Sequence, residues 1–121
     1  MAFSNILFDY SFPASADLST KQHYFVSLNS AGNIAVTGAG ADLVGVLQDK
    51  PSALGQSSQV RVLGISKVVA GGTILPGALV ASTSTGTALT AVATNTVAGR
   101  ALTNAASGEL VSVLLTGPYK I

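Results

Sequence analysis

The 121-residue chain contains no cysteine and no tryptophan, and only 9% of its residues are charged. Without cysteine there is no disulfide, no thiolate nucleophile and no cysteine-based zinc site. Ordinary soluble domains carry about 25% charged residues. Because so few charges do little to keep molecules apart, the composition favours association with other protein molecules.

The chain also lacks a basic cluster, since its six basic residues are scattered and its formal net charge is only +1. Nucleic-acid binding depends on clustered lysine and arginine that neutralise phosphates. We therefore expect no nucleic-acid partner. The six residues are Lys21, Lys50, Arg61, Lys67, Arg100 and Lys120.

No segment has the pattern of a membrane helix or of a secretory signal. The stretch between Lys67 and Arg100 is free of charge, but Pro76 and several glycines interrupt it and its apolar residues alternate. The N-terminal sequence MAFSNILFDYSFP has neither a basic start nor a continuous apolar run. We expect no membrane partner and synthesis in the cytoplasm.

Catalytic patterns are missing as well. His23 is the single histidine, whereas a metal centre needs three or four convergent ligands. The many serines leave a Ser-His-Asp arrangement geometrically open, but no Gly-x-Ser-x-Gly elbow supports it. The glycine pairs are not followed by the Lys-Ser/Thr of a phosphate-binding loop. We expect no enzyme, no metal and no cofactor.

Short strands separated by glycine-rich turns dominate what is present. Glycine and β-branched residues interrupt every apolar stripe at helical spacing. Seven short strands with turns at this spacing are typical of a β-sandwich or a small β-barrel. The predicted strands are 24–28, 33–36, 43–47, 60–65, 78–80, 88–92 and 109–115.

An internal repeat covers most of the chain. When the sequence is aligned with itself, Gly45 falls on Gly99 and, after a slip of one position, Val60 falls on Val113. Neither unit buries its apolar face alone, so the two units are expected to share one core within a single domain, residues 21–121. We predict two similar halves related by a pseudo-two-fold axis. The repeated units are residues 24–67 and 77–120.

The N-terminal segment, residues 1–20, lies outside this repeat and holds four of the seven aromatic residues. Aromatic residues alternate at positions 8, 10 and 12, so an extended chain places them on one face. We predict that residues 1–20 form an extended N-terminal arm, of which residues 1–12 leave the domain. The alternative is a first strand whose aromatics belong to the domain's own core. The predicted anchoring residues are Phe3, Ile6, Phe8, Tyr10 and Phe12.

Five segments together carry a family resemblance: Leu43–Pro51, Gln59–Val68, Gly71–Gly77, Val97–Leu102 and Ser107–Leu115. They resemble the cement, or decoration, proteins of tailed-phage capsids, over about residues 22–116. The resemblance implies a small β-barrel or β-tulip-like fold. It also implies a protein that is made in the host cytoplasm and binds the outer surface of the virion head, often as trimers at three-fold or quasi-three-fold positions.

The partners that this resemblance implies are the major capsid protein and further copies of the chain, as a homotrimer. In relatives an N-terminal arm contacts the major capsid protein, so the predicted arm would bind the capsid or a neighbouring protomer. A carbohydrate- or receptor-binding β-module of a phage tail or fibre is the alternative. Sugar sites usually stack rings on exposed aromatics, and the chain has no tryptophan.

Overall fold

The computed structural model describes residue 2 and residues 4–120, with the backbone alone for Ile6 and for residues 117–120. Within this part of the chain every regular element is a β-strand, so the predicted all-β class is confirmed. The strands are β1 (Asn5–Pro13), β2 (Phe25–Leu28), β3 (Ile34–Val36), β4 (Gly45–Leu47), β5 (Ser57–Val69), β6 (Leu79–Ser82), β7 (Ala88–Thr90), β8 (Thr96–Ala101) and β9 (Leu110–Lys120).

The strands form one antiparallel sheet that is strongly curled into a half-barrel. Its order is β3-β2-β4-β5-β9-β8-β6-β7, and β1 pairs with β5 outside this path. The two longest strands, β5 and β9, pair with each other at the centre and join the two halves. The predicted barrel-like domain is thus confirmed as a curled, open sheet.

Two similar halves are evident in the strand pairing. In the first half β2 pairs with β3 and β4, and in the second half β6 pairs with β7 and β8. The registers agree too, since Val26 faces Gly45 just as Val80 faces Gly99. Leu47 faces Val60 as Ala101 faces Val113.

The matched glycines at positions 45 and 99 are required by close backbone contact. A Cβ atom at Gly45 would collide with the carbonyl oxygen of Arg61, and one at Gly99 with that of Leu114. Both carbonyls lie on the long strand that follows in the same half. Glycine therefore lets the short and long strands approach each other in both halves.

Two of the nine strands are absent from the seven that the local pattern predicts: β1, which was expected as part of an arm, and β8. Strand β8 is the structural counterpart of β4, which the pattern did indicate. The repeat therefore indicates a strand at residues 96–101, which the local apolar pattern of this segment does not.

The apolar core is divided into two clusters that use matching positions of the two halves, and the larger cluster contains residues of both halves, so the single shared core that was expected is only partly present. Each set of matching positions consists of the residue that follows β1 or β5, one residue of the next loop, and one residue from each of the four strands that come after it. In the first half these are Ala14, Leu18, Val26, Ile34, Leu47 and Val60. In the second half they are Ala70, Ile74, Val80, Ala88, Ala101 and Val113, within a larger cluster that also includes Phe25 and Val46.

Within the N-terminal segment Asn5–Pro13 is extended as predicted, but it does not leave the domain. β1 pairs antiparallel with β5 of its own chain, from Asn5 opposite Ile65 to Pro13 opposite Ser57. The prediction that residues 1–12 leave the domain is therefore wrong for this part of the segment. Backbone pairing with β5 satisfies the donors and acceptors of one edge of β1 and holds the strand in the sheet.

The expectation that the whole N-terminal segment lies outside the repeat is also wrong. β1 pairs with the first part of β5 in the same register in which the last part of β5 pairs with β9. Ala14 forms a parallel bridge with Ile34, as Ala70 does with Ala88. The Ala14 amide donates to the carbonyl of Gln56 at 2.9 Å, and the Ala70 amide donates to that of Glu109 at 2.8 Å. The two segments have few identical residues, so the sequence alone does not reveal that they are equivalent.

The pseudo-two-fold relation predicted for the halves is not obeyed by their two β-hairpin turns. A two-fold axis would give both β-hairpin turns the same surroundings. The turn after β6 packs against the first half, where Gly86 is buried, whereas Gly32 in the turn after β2 is exposed. The contact that this turn makes with the other half is therefore one-way.

Candidate functional site

Three aromatic side chains form a row along one face of β1, and we call Phe8, Tyr10 and Phe12 the aromatic row. The ring centroids of Phe8 and Tyr10 lie 6.1 Å apart, and those of Tyr10 and Phe12 lie 5.1 Å apart. Both pairs are tilted, at 36° and 56°, in the range of favourable aromatic contacts. The row follows from the period of two along a strand.

The row is buried at one end and exposed at the other. Phe12 is half-buried and packs against the core of the first half. Tyr10 lies opposite the fully buried Val60, yet its own side chain is 55% exposed, and that of Phe8 is 48% exposed. Phe12 thus anchors the row to its own domain, while the other two rings present apolar surface to solvent.

A β-bulge in β1 directly precedes the row and contains a further exposed apolar side chain. The register between β1 and β5 shifts between Ile6 and Phe8, and Leu7 between them is 75% exposed. On the partner strand Gly64 has a φ of 111°, and a Cβ there would lie 2.7 Å from the amide nitrogen of Leu7. The glycine therefore makes room for the bulge, which turns Leu7 outward.

A buried ion pair holds β1 against β5. Arg61 Nε donates to Asp9 Oδ1 at 2.9 Å and Arg61 Nη2 donates to Asp9 Oδ2 at 3.1 Å. The two side chains are only 6% and 7% exposed. The Gln59 side-chain amide donates a third bond to Asp9 Oδ2 at 2.9 Å, and Arg61 Nη1 donates to the Ile65 carbonyl at 3.1 Å.

This pair gives β1 a fixed register, because a slip along the ladder would leave a buried carboxylate and a buried guanidinium unpaired. Bidentate arginine–carboxylate contacts also have strict geometry. The ion pair between Asp9 and Arg61 was not predicted from the sequence. A single acid at Asp9 and a single base at Arg61, each in an otherwise apolar and uncharged stretch, were the available signal.

The predicted anchoring residues are only partly brought together. Phe8, Tyr10 and Phe12 lie on one face, as their alternation indicates. Ile6 faces Gly64 in the ladder, but its side chain lies outside the described residues. Phe3 lies outside them altogether.

His23 has a structural setting. Its φ is 69°, and its counterpart in the second half is Gly77, with a φ of 88°. Its amide donates to the Leu47 carbonyl at 2.8 Å, as the Gly77 amide donates to that of Ala101. Burial, and then the nearby charges of lysine and arginine side chains, lower the pKa of the imidazole.

The described residues offer little for chemistry on a small molecule. They contain no group of three His, Cys, Asp or Glu side chains that could hold a metal ion. An open cleft of about 460 Å³ is lined by Ala2, Lys67, Asn104, Glu109 and Leu110. Its open shape does not enclose a ligand in the way that small-molecule sites usually do. In the same part of the chain, no helix is long and apolar enough to cross a membrane.

Fold and site together define a β-sheet protein whose most distinctive surface is an exposed, rigidly held apolar row, the type of surface that binds other proteins. Comparison with protein families specifies this class. The model of the phage cement protein family matches residues 8–117, and the chain belongs to that family.

The fold comparison agrees. The chain is similar to the N base of the head fiber gp8.5 of bacteriophage phi29, with a TM-score of 0.72 and 20% sequence identity. The match covers 94% of this chain and 98% of that one. No curated protein matches the chain by sequence. The chain is therefore a structural component of the virion head, located on the capsid.

Proposed function

We propose that this protein binds the outer surface of the assembled phage head and stabilises it, as a homotrimer at three-fold or quasi-three-fold positions. Its partner is the major capsid protein, and the contact is made by Phe8 and Tyr10 of the aromatic row together with Leu7. The observation that carries the proposal is the exposure of these three side chains, at 48%, 55% and 75%, on a strand fixed by a buried ion pair.

The energetics favour a rigid strand over a free arm. Burying one large apolar side chain fully is worth roughly 1.5–3 kcal/mol, so burying the exposed half of two rings is worth about 1.5–3 kcal/mol in all. A free arm would first lose conformational entropy on binding. Because β1 is already paired with β5, most of this cost is absent.

Weak contacts suffice for such a protein. Three linked copies present the row three times, which raises the effective affinity for a repeated surface without any new contact. If the trimer bridges subunits of the mature shell, it binds that shell better than the precursor and shifts the equilibrium towards it. The 9% content of charged residues suits this close packing of proteins.

This role requires no catalysis, no cofactor and no metal. The half-buried His23, with its lowered pKa, serves a left-handed turn, which supports a structural role for the one histidine. The scattered basic residues support a protein partner over nucleic acid. We therefore infer that the protein is not an enzyme.

The test is binding to purified expanded heads that lack the protein, measured by co-sedimentation. The double variant Phe8→Ser/Tyr10→Ser should bind about 10–150-fold more weakly, as about 1.4 kcal/mol corresponds to tenfold. Leu54→Ser is the matched control, since Leu54 is 70% exposed in the loop before β5, outside the aromatic row. Wild-type affinity of the double variant would show that the row is not the binding surface.

A further inference from the structure

Besides the pairing of β5 with β9, the two halves meet through a contact in which one turn docks onto a surface. We call residues 82–87, from the last residue of β6 to the start of β7, the second-half turn. The Gly86 carbonyl accepts a hydrogen bond from the Phe25 amide at 2.8 Å, and the Ser82 carbonyl accepts one from the Gly40 amide at 2.9 Å. A Cβ on Gly86 would also collide with Val36. The second-half turn is thus in tight contact with the first half.

The equivalent turn of the first half, residues 28–33, has no such contact among the described residues of the chain. We call it the first-half turn. Leu28 occupies the position of Ser82, yet Leu28 is 48% exposed and Ser82 only 5%. Gly32 occupies the position of Gly86, and a Cβ placed on it would meet nothing within 4 Å. A leucine is therefore exposed where the second half buries a serine.

The complementary surface is exposed as well. In the first half the surface that receives the turn includes Phe25, Val36 and Gly40. The repeat places Leu79, Thr90 and Thr94 at these positions of the second half, and Thr90 and Thr94 are exposed while Leu79 is half-buried. Val92, between them in sequence, is 65% exposed. We call Leu79, Thr90, Val92 and Thr94 the second-half receiving surface.

We propose that the first-half turn of one copy of this chain binds the second-half receiving surface of the next copy, repeating between molecules the contact that joins the halves within one. By equivalence, the Leu79 amide would donate to the Gly32 carbonyl and the Thr94 amide to the Leu28 carbonyl. The contact would bury Leu28 and Val92.

A second copy is the occupant that the structure supports, because the chain already contains a counterpart of each surface with matching backbone register. Neither surface carries a charged residue, so nothing repels the approach of two copies. The contact is heterologous, and such head-to-tail contacts close into rings when the rotation allows. Only the ring size, a trimer, rests on the proposed function.

Cysteine cross-linking tests this contact, and the natural chain has no cysteine to interfere. The internal counterparts of Leu28 and Thr94 are Ser82 and Gly40, which a backbone hydrogen bond joins. The full-length double variant Leu28→Cys/Thr94→Cys is oxidised both in concentrated solution and on decorated heads. The control pair is Leu54→Cys/Thr94→Cys, which pairs the same Thr94 with an exposed leucine outside both surfaces.

The proposal requires covalent oligomers beyond the dimer, ending at three copies, at a yield at least tenfold above that of the control pair. Equal yields for the two pairs, in solution and on heads alike, would overturn it. Head binding is scored separately by co-sedimentation. Cross-linking without head binding refutes the proposed function alone, and head binding without cross-linking refutes this inference alone.

A charge substitution supplies the second readout. Leu28→Asp should weaken self-association at least tenfold in sedimentation velocity, while Leu54→Asp should leave it unchanged. Both residues are exposed in the single chain, so both variants should keep the wild-type melting temperature at concentrations where the protein is monomeric. If Leu28→Asp weakens only head binding, with self-association intact, the turn contacts the capsid and the inference is wrong.

Discussion

The second half of the chain suggests a replacement for the buried ion pair between Asp9 and Arg61, because it has an apolar pair at the equivalent position. β5 and β9 pair as β1 and β5 do, and at this point of the ladder Ile65 faces Leu114. The second half therefore holds an apolar pair where the first half holds a charged one. Replacing a buried ion pair with apolar residues of similar volume is often neutral, or stabilising by about 1–4 kcal/mol.

The single substitutions should behave very differently from the double one. Asp9→Ile leaves the Arg61 guanidinium, whose side chain is only 6% exposed, without its carboxylate, which costs about 3–5 kcal/mol. Arg61→Leu leaves the carboxylate with the Gln59 amide alone, a cost of similar size. The double variant Asp9→Ile/Arg61→Leu should be within about 1 kcal/mol of the wild type or more stable.

Urea unfolding followed by far-ultraviolet circular dichroism measures these values, with the four proteins forming a double-mutant cycle. The expected coupling free energy is several kcal/mol. Two results would refute the reasoning. One is a single variant that loses under about 1 kcal/mol, and the other is a double variant as unstable as the sum of the singles.

Three further predictions concern other parts of the fold. Gly99→Ala should cost about 3 kcal/mol or more because its Cβ meets the Leu114 carbonyl, whereas Gly55→Ala, with a φ of 81° and open space, should cost about 1 kcal/mol in the same urea assay. His23 has a lowered pKa in the folded state, so the unfolded state binds the proton first and stability falls as pH drops below about 6.5. His23→Asn should therefore lose less unfolding free energy than the wild type between about pH 7.5 and 5.5, and an identical loss would contradict this. Deletion of residues 2–12 should lower the melting temperature by roughly 10 °C or more, because it removes Asp9 and Phe12.

The repeat was the most informative feature of the sequence. Gly45 and Gly99 align because the same backbone approach demands glycine in both halves. Val60 and Val113 align because each fills the core of its own half. Where packing or steric contact requires one residue type, the two halves have the same residue at equivalent positions, and the repeat is visible in the sequence.

The role of β1 could not be derived in the same way. From position 8 to position 14, only Ala14 is identical to its counterpart, Ala70, because the end of β5 is paired inside the sheet while β1 lies off its main path. Edge strands tolerate bulges, charges and Pro13, and these features hide the repeat. Alternation correctly predicted a common face for the aromatic row, but exposure depends on which strand lies opposite.

The proposed contact between copies of the chain could likewise not be predicted from the apolar pattern of the sequence. Leu28 reads as the last residue of an ordinary strand, and the meaning of its exposure follows only from comparison with Ser82 in the folded second half. A one-way contact between similar halves is a property of the three-dimensional arrangement. No periodicity in the sequence distinguishes a one-way contact from a contact with two-fold symmetry.

Cryo-electron microscopy of heads decorated with the wild-type protein tests the central claim most directly. We predict trimeric density on the outer surface at three-fold or quasi-three-fold positions, with β1 facing the shell and Phe8 and Tyr10 against the major capsid protein. Heads incubated with Phe8→Ser/Tyr10→Ser should lack most of this density. Bound protein that turns β1 towards solvent, or full occupancy by the double variant, would contradict the account.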